Sequence, residues 1–246
     1  MAARTGALRP LVHGGILVAG ERMARIQAAI EAGDGGRSAS RLCQVSTDVI
    51  AVSGAGVMLM SDDLPGSLCT TNAVSALIEE LQFTLGEGPC MDAYNHSQVV
   101  LEPDLADPRT PRWLAFAPKA LQVGVRAVFG FPLRIGAARL GALNLYQDRP
   151  GPLSDDQHAD ALVMADVVAH WVLDMQADAP QGLLAQEIEV GVEFYLSVHN
   201  AAGAVSVQLG VTVAEALIRM RAYAFAQDRP LREVAQDVID RKLRFG

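Results

Sequence analysis

The chain has 246 residues, half of them hydrophobic and a fifth charged, with 28 acidic against 20 basic side chains and a formal net charge of −8. That length accommodates one large or two modest cores, and the composition excludes a disordered or collagen-like chain. The acidic balance opposes non-specific nucleic-acid binding by the surface as a whole, and no stretch reaches the roughly 18 consecutive apolar residues that a membrane span requires.

Three cysteines, Cys43, Cys69 and Cys90, are an odd number without CxxC spacing. This argues against a disulfide framework or a zinc ribbon and in favour of a reducing compartment. Near the N-terminus the short apolar run from Leu11 to Gly20 follows two Arg, but Pro10, His13 and the lack of a small-residue cleavage site make it a poor signal peptide. The expectation is a cytoplasmic protein with no membrane partner.

In chain order, Glu21 to Ala32 is a plausible helix, ended by the breaker Gly33-Asp34-Gly35-Gly36. Ser38 to Val52 places Leu42, Val45, Val49 and Val52 at helical spacing. Gly56 to Ser61 reads as a strand, Asp62 to Gly66 as a turn and Ser67 to Thr71 as the hairpin partner. A helix from about Ala73 to Gln82 leads into the loop Gly86-Glu87-Gly88-Pro89-Cys90, and Val99 to Leu101 is a short strand. After a Pro- and Asp-rich loop, a helix is expected over Arg112 to Gln122. The two best strands, Arg126 to Arg134 and Leu140 to Tyr146, are joined by a Gly-containing turn over Ile135 to Arg139. Ser154 and Gln157 have capping-box spacing and start a helix that runs to a linker beginning near Ala177.

The C-terminal part is helical. Reading back from Leu209, apolar or small residues fall at Leu184, Ile188, Gly191, Tyr195, Val198, Ala202 and Val205, alternating steps of four and three. Such a seam over three to four heptads argues for a coiled coil and hence a homodimer, the alternative being a helix that covers its own core. Thr212 and Glu215 form a second capping box, followed by the stripe Ala216, Leu217, Met220, Ala224. Asp228 and Pro230 stop that helix and open another, on which Leu231, Val234, Ala235, Val238 and Ile239 repeat with helical period. From Leu209 onward seven basic side chains face five acidic ones, a balance of +2 against −10 over the first 208 residues.

The chemistry-bearing motifs are few. There is no GxxxxGK[ST], HExxH or GxSxG, so no catalytic residue is assigned and an enzyme is the least supported class. Cys69, Cys90 and His96 have the donor types for zinc or iron, but buried structural thiols are the commoner outcome, and no metal or cofactor is assigned. Asp92, Arg126 and Asn144 are candidates for lining a pocket of unknown ligand. Asp62, before Leu64-Pro65-Gly66, has the setting of a phosphoacceptor in receiver domains, but the earlier acidic pair and the alternating βα units that such a domain needs are missing, which favours a plain hairpin turn.

Two resemblances organise these observations. Gly86 to Cys90 (GEGPC), Gly124 to Leu133 (GVRAVFGFPL) and Leu140 to Tyr146 (LGALNLY) resemble the GAF domain, a small-molecule sensor module. Ala201-Ala202-Gly203, Gly210-Val211, Glu215-Ala216-Leu217, Met220 to Tyr223 and Leu231 to Val238 resemble the ANTAR family of transcription antitermination regulators, in which Ala202 stands where Lys is usual. Together they imply an α+β N-terminal GAF-like domain, an antiparallel sheet flanked by helices, followed by an all-α coiled coil and three-helix ANTAR-like module. The divisions are residues 1–20 as an N-terminal extension, 21–176 as the sensor, 177–183 as a linker and 184–246 as the helical module.

The ANTAR resemblance implies RNA hairpins as partners, bound by a homodimer under control of the sensor. Asn200, Arg219, Arg221, Arg229 and Arg232 are the candidate RNA contacts, with Tyr223 and Phe225 as nearby aromatics. Leu184, Ile188, Tyr195, Val198 and Val205 are the candidate dimer seam. The alternatives are a DNA-binding helix-turn-helix regulator, although Ala226 to Pro230 lacks the glycine such a turn favours, and a sensor or scaffold that meets only protein. The activating signal is open between a small molecule, a partner kinase and a protein contact.

Overall fold

In a computed structural model the structure describes residues 13–32, 38–60, 66–109, 111–178 and 192–246. The elements are α1 (His13–Glu31), α2 (Ala39–Ile50), β1 (Gly54–Leu59), β2 (Gly66–Thr70), α3 (Ala73–Leu85), α4 (Pro89–His96), β3 (Val100–Glu102), α5 (Phe116–Gln122), β4 (Ala127–Ile135), β5 (Ala138–Gln147), α6 (Asp155–Asp178), α7 (Val192–Leu209), α8 (Val213–Ala226) and α9 (Leu231–Ile239). The five strands form one antiparallel sheet in the order β2-β1-β5-β4-β3.

Strand alternation divides the core into two layers. Ala127, Phe129, Phe131 and Leu133 of β4 and Leu143 and Leu145 of β5 face α1, α2 and α6. On the opposite side Val128, Ala142 and Tyr146 pack with Ile78 and Phe83 of α3, Cys90 and Ala93 of α4 and Phe116 of α5. That second layer is continuous with the core of α7, α8 and α9, built from Val198, Ala201, Ala202, Val205, Ala216, Met220, Leu231, Val234 and Val238.

Local signals explain the element ends. Ser38 caps α2 by accepting from the Arg41 amide at 3.3 Å. Both expected capping boxes form: the Ser154 amide donates to Gln157 Oε1 at 2.9 Å, and the Thr212 amide to Glu215 Oε2 at 3.0 Å. The helix expected from Glu21 extends back to His13.

Several expectations are corrected. Cys43 and Cys69 form a disulfide that ties α2 to β2, although the odd count and spacing argued against one. The pairing depends on a helix and an edge strand meeting, which spacing does not reveal. Residues 89 and 90 start α4 instead of lying in a loop, because Pro suits a first turn. Pro230 is the residue just before α9, outside its first turn. Ile239, read as part of the apolar stripe, is exposed.

Of the seam, Val198 and Val205 are fully buried within this chain, where α7 packs on α8 and α9. Leu184, Ile188, Gly191, the side chain of Tyr195, and the Gly33 to Gly36 and Asp62 readings lie outside the described residues. Ala202, the position of the expected lysine, is buried in the same helical core. Packing there favours a small side chain. No single described helix is long and apolar enough to cross a membrane.

Candidate functional site

Among the described residues, a cluster of buried polar side chains, Ser75, Glu79, Gln82 and Asn144, lies where α3 and α4 meet the middle of the sheet. It begins with Asn144 at the centre of β5, which pairs with Gly56 of β1 on one side and Gly130 of β4 on the other. Glycine inside a strand commonly marks a close approach of other groups. A Cβ on Gly130 would sit 2.5 Å from the Pro89 carbonyl oxygen, and one on Gly56 would lie 3.1 Å from Glu79 Cδ and closer still to Oε1. The two glycines thus let α4 and the Glu79 side chain settle onto the sheet on either side of Asn144.

Asn144 Nδ2 donates to Glu79 Oε1 at 2.6 Å, and both side chains are buried. Glu79 Oε2 and Asn144 Oδ1 have no hydrogen-bond partner. Burial raises the Glu79 carboxyl from its ordinary 4.5 to about 8, because a desolvated carboxylate is disfavoured, while the Asn144 bond opposes the shift. Burial therefore favours the protonated, neutral form of Glu79. The Cys90 thiol beside it is pushed up by burial and by Glu79, so it is a poor nucleophile. Gly56, Ser75, Ile78, Glu79, Pro89, Val128, Asn144 and Tyr146 enclose this polar pair and leave about 10 Å³, the room of a single water.

The GEGPC segment builds the frame of this site residue by residue. Gly86 takes a left-handed conformation to end α3, with φ of 67°. Glu87 Oε1 accepts from the amides of Ala115 and Phe116 at 2.6 and 2.7 Å, capping α5, which has no cap of its own. Gly88, at φ 134°, packs against the Gln82 side chain. Pro89 opens α4, and the Cys90 amide donates to Gln82 Oε1 at 2.7 Å.

Of the three pocket candidates only Asn144 lines this site. Asp92 accepts from Trp113 Nε1 at 3.0 Å and from Arg112 at 3.1 Å, and Arg126 pairs with Asp104 at 3.0 Å. Cys69, Cys90 and His96 do not converge: Cys69 is bonded to Cys43, and among the described residues no group of three His, Cys, Asp or Glu side chains is placed to hold a metal. Glu79 and Gln82 were missed because on a helix they look like ordinary polar positions. The available signal was the pair of strand-interior glycines, Gly56 and Gly130.

The candidate RNA contacts are divided. Asn200 and Arg219 are exposed. Arg229 pairs with Asp237 at 2.7 Å and Glu233 at 3.6 Å. Arg232 meets Glu80 of α3 at 3.7 Å. Arg221 lies over the Phe83 ring, 4.9 Å from its centroid, with Nε buried and without a hydrogen-bond partner. Desolvation lowers its pKa to about 10. Tyr223 stacks edge-on with Phe245, 5.4 Å between centroids, while Phe225 is exposed.

Among curated proteins none matches the chain. The solved structures it resembles include the GAF domain of a phosphoenolpyruvate-protein phosphotransferase from Coxiella burnetii, at 12% identity over 65% of this chain and 96% of that one, with a TM-score of 0.49. A domain of a putative two-component sensor histidine kinase from Sinorhizobium meliloti gives 17% identity over 55% of this chain and 89% of that one, TM-score 0.47. A free methionine-R-sulfoxide reductase from Thermoplasma acidophilum gives 17% identity over 64% and 96%, TM-score 0.41. The GAF domain family model matches residues 38–169, from the cap of α2 into α6. That match spans more than half of the chain and holds the whole sheet with its buried Glu79–Asn144 pair, so the chain belongs to the GAF domain family.

Proposed function

We propose that this protein is a sensor-controlled regulator of transcription termination, in which the GAF domain governs a three-helix module that binds RNA hairpins as a dimer. The observation that carries the reading is the likeness of Ala201 to Val238 to the ANTAR family, on helices α7, α8 and α9 that share one core. Exposed Asn200 and Arg219 supply a base-edge hydrogen-bonding group and a cation for an RNA loop. On the sensor side, a neutral Glu79 beside Asn144 suits a small uncharged molecule that both donates and accepts hydrogen bonds.

The second reading, a sensor that meets only protein, is favoured by one feature. Ile218 and Phe225 are 61% and 60% exposed, two turns apart on α8. A gel shift with hairpin RNA, with duplex DNA as competitor and light scattering to count copies, separates the readings. The RNA reading expects a shift that duplex DNA does not compete away and that Arg219→Ala with Arg232→Ala weakens. No shift, or an undiminished one, rejects it.

A further inference from the structure

Helix α3 has two working faces. Ser75, Ile78 and Glu79 of one face line the polar pocket. Glu80 and Phe83, together with the Gly86 turn that ends the helix, meet the C-terminal module: Arg232 of α9 pairs with Glu80 at 3.7 Å, and the Arg221 guanidinium of α8 lies 4.9 Å from the centre of the Phe83 ring. Lys119 of α5 adds a 3.5 Å ion pair to Asp228 in the turn between α8 and α9. The polar ties across this contact are few, and it includes a guanidinium nitrogen buried without a partner, which is unfavourable to maintain.

The pocket has room for one water, so a larger occupant must displace a wall. The sheet wall does not yield, because β1, β5 and β4 are hydrogen-bonded along their length. At α4, Pro89 sits against the Gly130 backbone. Helix α3 is joined to the sheet and to α4 through side chains, Asn144 Nδ2 donating to Glu79 and the Cys90 amide to Gln82, bonds that an occupant can displace, and moving it disturbs Glu80 and Phe83 together.

We propose that α3 is a latch between the pocket and the helical module: an occupant beside Glu79 and Asn144 pushes α3 outward and frees Arg221 and Arg232 from Phe83 and Glu80. That the freed arginines then serve RNA rests on the reading given under Proposed function. Two of the four arginines assigned to RNA, Arg221 and Arg232, are then ones that α3 holds.

The test uses the full chain with spin labels at Gln122→Cys and Gln227→Cys, both exposed, since Cys90 is buried and Cys43 and Cys69 are bonded to each other. Glu80→Lys, a change outside the core, and Phe83→Ala open the latch directly. Gly56→Val, with Gly56→Ala as the smaller step, presses on Glu79 and stands in for an occupant. The expected result is a longer and broader label distance in both sets, with hairpin affinity rising about tenfold. An unchanged distance in Glu80→Lys and Phe83→Ala overturns the latch. Movement there but none in either Gly56 variant overturns its coupling to the pocket. Movement in both sets without RNA binding by any form supports the latch and rejects the RNA reading instead.

Discussion

At the scale of single residues, Glu79 is the side chain whose state sets the character of the site. Its carboxyl is raised to about 8 from an ordinary 4.5, so between those values the folded chain holds a proton that the unfolded chain has released. The stability from this group is therefore fully present below pH 4.5 and is lost as pH rises through about 8. The slope approaches about 1.4 kcal/mol per pH unit inside the window. Glu79→Gln keeps an acceptor for Asn144 Nδ2 and removes the titration. Urea unfolding as a function of pH should show a flatter profile for this variant and a gain over the parent at the alkaline end. A profile parallel to the parent's would mean that Glu79 is not the group that titrates.

Glu87 makes the second residue-scale prediction. It supplies both hydrogen bonds to the otherwise uncapped start of α5. Glu87→Ala should cost about 1–2 kcal/mol, as lost helix caps do, and Glu87→Gln, which retains an acceptor, should recover most of it in the same unfolding measurement.

At the scale of elements, β4, β5 and the helices α2, α6 and α8 were legible because their periodicity and end signals agree. Ser38, Ser154 and Thr212 each cap where the spacing requires. The start of α4 was not legible, since Gly88-Pro89 reads equally as loop or as a first turn until Gln82 engages the Cys90 amide. The Cys43–Cys69 bond between α2 and β2 was missed because it joins residues that only the tertiary fold brings together. With a sequence separation of 26, replacing both cysteines by alanine should lower stability by about 3.5 kcal/mol on the chain-entropy account. Calorimetry on the parent and the double variant checks this, and an equal loss on adding reductant to the parent ties it to the bond itself.

At the scale of the whole molecule, the sensor and the helical module share one apolar layer, yet the polar ties between α3, α5 and the module are few. The heptad reading identified the buried stripe of α7 but not its partner. Val198 and Val205 face this chain's own α8 and α9, because a seam and a core face have the same period. Charge at this scale bounds the proposed RNA contact. With four candidate arginines in each module, one of them tied to Asp237 and Glu233, the slope of log affinity against log salt should be no steeper than about −3 per bound module. A steeper slope in salt-titrated gel shifts would point to a different surface.

The amino-acid sequence by itself determined the antiparallel α+β scaffold, the resemblance to a GAF domain and the helical character of the C-terminal part. Those depend on periodicity, caps and turn residues, which are local. The tertiary structure alone decided that Glu79 and Asn144, 65 residues apart, meet in a buried pocket. It also decided that Arg221 and Arg232 lie against α3 and that Cys43 joins Cys69. Each of these depends on which elements are neighbours in space, and burial, with the pKa shift it causes, exists only once the chain has closed around the group.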